Sequence, residues 1–234
     1  MAINVNSVYR VVLAVLNKEQ RGYLTPDQFN RLGRQAQLGL FEKSFYDYNR
    51  QITKRNIQGV NSEYGDIADN IEEKIDLFAK SATLTLAGNA TTVAAPNDLY
   101  RAINITTSDR STEIEKIKKS EYTYFNSSKL TQPSASFPVY YFDNGFFNIL
   151  PQSVINPVID YIRKPLDPVW AFTVGGSGQY VYDSNNSQDF ELHPSEETDL
   201  VVKILALAGV IVKDPTVIQV AKQEEADNFN QENI

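Results

Sequence analysis

The sequence predicts an α+β fold: a helical bundle drawn from both chain ends, carrying an inserted, mainly antiparallel β-domain. Two observations predict it. Apolar residues recur at helical spacing near both ends, whereas the middle alternates and is broken by Gly, Pro, Asn and Asp. The order is also helices, then strands, then helices, which segregates the two types instead of alternating them as a parallel α/β sheet would. The expected division is a helical part over 1–80, a β-rich insertion over 81–193, and helices over 194–234 that pack back on the first part.

Asn6 or Ser7 is placed to cap a first helix, with Val8, Val11, Val12, Val15 and Leu16 on one broad face and Gly22 beyond it. Thr25-Pro26-Asp27-Gln28 is a start signal: Thr25 as N-cap, Pro26 in the first turn, and Gln28 closing a capping box. Phe29, Leu32, Ala36, Leu40, Phe41 and Phe45 follow at helical spacing, so a second helix should reach about Tyr48. Gly33 and Gly39 inside it cost about 1 kcal/mol each relative to Ala. Close approach by another helix or subunit is the usual reason to keep such residues. A third helix is expected over 66–78, with Ile67, Ile71, Ile75 and Phe78 in register.

From Ser81 the period becomes two. Residues 82–86 and 90–93 read as a hairpin turning at Gly88-Asn89. Residues 139–142 and 146–150 read as another, turning at Asp143-Asn144-Gly145, where the glycine supplies a positive φ. Further strands are expected at 158–163, 180–182 and 190–192, a small helix near 116–124, and loops at 175–178 and 183–187. Pro194-Ser195-Glu196-Glu197 then opens a helix through Leu200, Val201, Ile204, Leu205, Leu207 and Ala208, with acids where the helix dipole favours them. Asp214-Pro215 opens a last helix to about Phe229.

The 234 residues can bury a substantial core, and 42% hydrophobic content with thirteen Tyr and twelve Phe is too apolar for a disordered chain. A net charge of −7 argues against a general nucleic-acid coat, because neutralising phosphates needs surplus Lys and Arg. Cysteine is absent, which removes disulfides, thiolate zinc sites and thiol catalysis and fits a reducing compartment. Residues 1–6 show no basic stretch leading into an apolar one, so the expectation is a soluble chain made in a cytoplasm without a signal peptide. The longest apolar run, 204–212, is about half a membrane span. Sequons at Asn89, Asn104, Asn126 and Asn185 carry little weight without a secretory signal.

The residues for chemistry are sparse. His193 is the single histidine and sits at a strand-to-helix corner beside Pro194, where a structural role is the better reading. There is no Gly-x-Ser-x-Gly elbow. Gly175-Gly176-Ser177-Gly178 lacks the Lys-Ser/Thr and following helix of a phosphate loop. Asp183-x-Asn185-x-Ser187 begins like a calcium loop but has Gln188 where glycine is needed and Pro194 where the bidentate Glu belongs. Glu72-Glu73, Glu196-Glu197 and Glu224-Glu225 fall on predicted helix surfaces or ends and read as solvated. No catalytic, cofactor-binding or metal-ligating residue is nominated, and the chain reads as a non-enzyme.

Arg50, Lys54 and Arg55, with Arg31 and Arg34 earlier, admit two readings: cations favoured toward a helix end, or a patch facing an acidic neighbour or passing DNA. Aromatic runs at 122–125 and 139–147 favour core and cross-strand packing over base stacking. Tyr, Phe and Arg are enriched at protein interfaces. The candidate interface residues are Tyr23, Arg31, Arg34, Arg50, Lys54 and Arg55.

The segment from Val8-Tyr9-Arg10 through Gly22-Tyr23-Leu24-Thr25-Pro26-Asp27-Gln28-Phe29-Asn30 resembles the N-terminus of neck or ring proteins of crAss-like and related short-tailed bacteriophages. Ala95-Pro96-Asn97-Asp98-Leu99-Tyr100-Arg101 is similar to the approach to the β-region in tail-tube-like adaptor proteins. In the same order come Phe137-Pro138-Val139-Tyr140-Tyr141, Leu150-Pro151, Tyr161-Ile162-Arg163-Lys164-Pro165 and Phe190-Glu191-Leu192-His193-Pro194-Ser195. The resemblance implies a helical bundle bearing a β-domain, assembled as a dodecameric head-to-tail connector ring beneath the portal protein. It implies neighbouring neck or tail proteins as partners, transient passage of genomic DNA, residence in the virion, no cofactor, no membrane and no active site. The alternative is a tail-side receptor or glycan-binding module built on the tyrosine-rich β-region. A cell-wall hydrolase of virion entry would need two carboxylates facing across a cleft, which the sequence does not nominate.

Overall fold

The computed structural model describes residues 2–18, 24–58, 73–86, 90–212 and 223, with the backbone alone over 17–18, 47–58 and 210–212. The helices are α1 (Val5–Lys18), α2 (Pro26–Gln58), α3 (Tyr122–Ser127) and α4 (Glu197–Val212). The first strands are β1 (Ala79–Thr83), β2 (Thr92–Ala94), β3 (Leu99–Thr106), β4 (Glu115–Lys116) and β5 (Val139–Asp143). The remainder are β6 (Phe146–Leu150), β7 (Val158–Arg163), β8 (Phe172–Val174) and β9 (Tyr180–Tyr182). This is a mixed α+β protein with mainly antiparallel sheets. It divides into two compact units, Met1–Leu77 with Pro165–Ile234, and Phe78–Lys164.

In the first unit, Asn4 caps α1, its Oδ1 accepting from the backbone N–H of Asn6 at 3.1 Å and Ser7 at 3.0 Å. The cap is therefore not Asn6 or Ser7. Asn6 lies inside the helix, and its side-chain oxygen accepts the indole N–H of Trp170 at 3.1 Å. Val5, Val8, Val12 and Leu16 are buried, but Val11 and Val15 are 46% and 43% exposed, so the apolar face is wider than the core it fills.

The capping box of α2 forms as its residues dictate: Gln28 N–H donates to Thr25 Oγ1 at 3.3 Å, and Thr25 N–H to Gln28 Oε1 at 3.0 Å. The helix runs past the expected end near Tyr48 to Gln58, a stretch with no Gly or Pro to stop it. Phe29, Leu32, Ala36, Leu40 and Phe41 are buried along one side. Two carboxamides share that side. Asn30 takes both backbone polar groups of Trp170, accepting from its N–H at 2.8 Å and donating to its carbonyl at 3.3 Å. Gln37, 2% exposed, donates to the carbonyl of Leu166 at 2.7 Å and accepts from the N–H of Glu191 at 3.0 Å.

Both helix glycines mark close approaches. A Cβ at Gly33 would lie 3.0 Å from the Phe190 ring, and one at Gly39 would lie 2.9 Å from the Lys203 side chain on α4. Phe190 is fully buried and pairs with Ile3 in a two-way backbone bridge, both N···O distances 3.0 Å. The strand expected at 190–192 is only this bridge, because α1 begins at Val5 and ends the ladder. These bonds hold 165–193 in the terminal unit, whereas the sequence extends the β-rich insertion to 193. At its end, His193 Nδ1 accepts from Ser195 N–H, capping the 3-10 turn Pro194–Glu196 that leads into α4. Helix α4 packs on α1 and α2.

In the second unit, sheets β1-β7-β3 and β2-β6-β5-β4 face one core of Leu84, Ile105, Ile114, Tyr140, Phe147, Ile149, Val154, Ile159 and Tyr161. The hairpin expected over 82–93 does not form. Strand β1 pairs with β7, Leu84 N–H continues that edge to the carbonyl of Pro157 at 2.8 Å, and β2 pairs with β6. The alternation is right, but burial selects distant partners over the near one. The β5–β6 hairpin forms as expected, with Asn144 and Gly145 at φ of 47° and 84° in its two-residue turn. Near 116–124, residues Glu115–Lys116 join the sheet parallel to β5, and the helix is the later α3. Of the helix expected over 66–78, residues 73–76 are helical and 66–72 lie outside the described residues. The last helix, 214–229, lies outside them except for residue 223.

Asp98 clips this unit together. Its carboxylate takes Lys80 Nζ at 2.8 Å and the hydroxyl of buried Tyr161 at 2.8 Å, while its carbonyl accepts from Lys164 N–H at 2.7 Å. The Lys80 hydrogen bond holds the Asp98 carboxyl below its ordinary pKa, and the same bond raises Lys80. Burial raises the Tyr161 phenol, with Asp98 adding to it.

Two contrasts follow. Gly33→Ala should lower the urea midpoint, because overpacking a fixed ring costs about 1–3 kcal/mol, while Gly39→Ala should lower it less or raise it, since it meets only the far end of the long Lys203 side chain and Ala gains about 1 kcal/mol of helix propensity. A depressed folded pKa makes the Asp98 contribution present above the ordinary carboxylate pKa of ~3.9 and lost as pH falls through and below it. Asp98→Asn should therefore destabilise at neutral pH and flatten the acid limb of a stability-versus-pH profile.

Candidate interaction surfaces and an aromatic cleft

Helix α2 carries the basic candidates. Arg31 and Arg34 are exposed, and Arg34 Nε pairs with Asp167 Oδ1 at 3.0 Å. The side chains of Arg50, Lys54 and Arg55, and Tyr23 altogether, lie outside the described residues. At 1.5 Å rise per residue, positions 31 and 55 stand about 36 Å apart along a straight helix. The ion pair of Arg34 is half exposed and contributes no more than about 1 kcal/mol.

Large apolar side chains stand in solvent on both units. In the first, Tyr46 is 67% exposed and Val174 64%. In the second, Leu130 is 97% exposed, Phe137 79% and Tyr124 76%, all within 122–138. Tyr140 and Phe147 are buried in a ring contact at 5.8 Å; Phe142, on their face and 4.9 Å from the Phe147 ring, and Phe146, which the pleat turns to the other face, each remain 44% exposed.

A cleft of about 360 Å³ opens within the first unit, lined by Asn6, Tyr9, Arg10, Leu13, Trp170, Gly178, Gln179, Tyr180 and Tyr182. Its position follows from local chemistry. Asn30 fixes the Trp170 backbone and Asn6 its indole, so the ring lies against Tyr9 at a centroid distance of 4.4 Å. The β8–β9 hairpin then stacks Phe172 and Tyr182 on the indole at 5.9 and 5.6 Å, with Tyr180 edge-on to Phe172 at 4.8 Å. Gly178, at φ 78°, turns the hairpin. Residues from 6 to 182 build this cleft, and nothing in the spacing of Tyr9, Arg10 and Trp170 announces their meeting. The one available signal was the single Trp flanked by alternating aromatics.

The remaining sequence candidates have local roles. Asp183 turns its carboxylate inward on its own loop, accepting from Asn185 N–H at 3.0 Å and Asn186 Nδ2 at 2.7 Å, and the Asn186 bond lowers its pKa. Asp109 is held similarly by Thr107 and Ser111, its pKa lowered to about 2. Glu196 is not solvated: it is 8% exposed and paired with Lys74, whereas its neighbour Glu197 is exposed. Among the described residues no group of three His, Cys, Asp or Glu is placed to hold a metal. No described helix is long and apolar enough to cross a membrane. No protein-family model matches the chain, and no curated protein is significantly similar to it.

Proposed function

We propose that the chain is a structural, non-catalytic subunit of a bacteriophage neck: a dodecameric ring between portal and tail through which the genome passes. In this reading the helices of both chain ends form the bundle of the ring wall, and the protein resides in the virion. The ordered motifs from Gly22 to Ser195 support it, as does the shared compact unit of the two chain ends.

The observation that carries the reading is the exposed apolar segment of the β-unit. Leu130 and Phe137 are nearly bare in a lone chain, and exposed apolar surface of this kind marks contact with another protein. A ring supplies such contact on every subunit, with neighbouring copies, the portal protein and adjoining neck or tail proteins as its sources. The charge of −7 suits a channel that must release DNA, since like charges form no lasting contact.

Leu130→Asp and Phe137→Asp should lower oligomer mass in light scattering, with or without portal protein present, while leaving the melting temperature unchanged. Variants that assemble as the parent does would remove these residues from the interface. Binding to duplex DNA should be weak and nearly independent of salt in fluorescence anisotropy; tight, salt-sensitive binding contradicts the passive channel.

A further inference from the structure

The aromatic cleft has a composition that selects a ligand class. Its lining pairs the rings of Tyr9, Trp170, Tyr180 and Tyr182 with the polar residues Asn6, Arg10 and Gln179. Trp170 is only 4% exposed and its indole N–H is already taken by Asn6, so it forms the floor, whereas Tyr180 is 40% exposed at the mouth. Among the described residues no carboxylate lines the space. A cationic ligand would meet Arg10 with no opposing charge. A purely aliphatic one would shield Arg10 and Gln179 from water without offering them a hydrogen bond.

A ring that is apolar on its C–H face and hydroxylated around its edge satisfies both halves. We propose that the cleft binds a saccharide, with its C–H face on the tyrosines, its hydroxyls bonded to Asn6 and Gln179, and a sugar carboxylate favoured by Arg10. The volume of about 360 Å³ lies at the small end of ligand sites, suited to a mono- or disaccharide. Carboxamides suit hydroxyl groups because each both donates and accepts. A nucleotide would direct its phosphates at one guanidinium on a chain of charge −7, a weak anchor for them. The site lies wholly within one compact unit and stands independently of ring assembly.

Trp170 is the chain's only tryptophan, so intrinsic fluorescence reports the cleft directly. The full chain would be titrated with a uronic-acid disaccharide, its neutral counterpart and ATP. Saturable fluorescence change is expected with both sugars, the uronic acid binding up to about fivefold tighter, the gain of an exposed ion pair. Arg10→Gln should equalise the two sugars. Gln179→Ala should weaken both severalfold; its backbone carbonyl, which accepts Gly175 N–H at 2.9 Å, keeps the hairpin closed. Saturation by ATP but not by sugars, no saturable change with either sugar, or sugar binding untouched in both variants would overturn the proposal.

Discussion

Two carboxamides on one face of α2 decide where the returning chain lies. Asn30 and Gln37 are seven residues apart, two helical turns, and so point the same way. Each offers one donor edge and one acceptor edge, and each meets a backbone N–H and a backbone C=O of 165–193. An irregular segment against a helix has no ladder of its own to satisfy these groups, and a stranded buried polar group costs about 1–3 kcal/mol. Gly33 sits between the two amides, and its missing side chain lets Phe190 close to the helix. The floor of the cleft depends on the same bonds, because Trp170 is held at its backbone from α2 and at its indole from α1.

Features set by neighbours in the chain were legible in the sequence. The capping box at Thr25 and Gln28, the turn at Asn144-Gly145 and the strand Val158–Arg163 each follow from residues within a few positions. Even the two α2 glycines foretold close approach, although not by whom. Features set by distant pairing were not. Alternation over 82–93 could not reveal that β1 prefers β7, or that β2 prefers β6. The polarity of Asn30 and Gln37 gave no hint of tertiary roles, since an amide on a helix is ordinarily solvated. The boundary near Lys164 escaped notice for the same reason: residues 165–193 look like continued β-region, yet bond to helices.

The interface candidates fared unevenly. Arg34 is held within its own unit by Asp167, and the side chains of Arg50, Lys54 and Arg55 lie outside the described residues. The stronger surface signal lies in side chains that composition alone made ordinary, such as Leu130 and Phe137. Scattered apolar exposure is normal on any protein, and Leu130, Phe137 and Tyr124 stand out by their degree of exposure within one short segment. Those side chains and the cleft lie in different compact units, so the proposed assembly and the proposed ligand binding can be tested separately.

The most direct measurement is the abundance of this chain in purified virions relative to portal protein, by quantitative mass spectrometry. A neck ring predicts a ratio near one to one with the portal. Absence from the particle, or a copy number matching a tail spike, would contradict it.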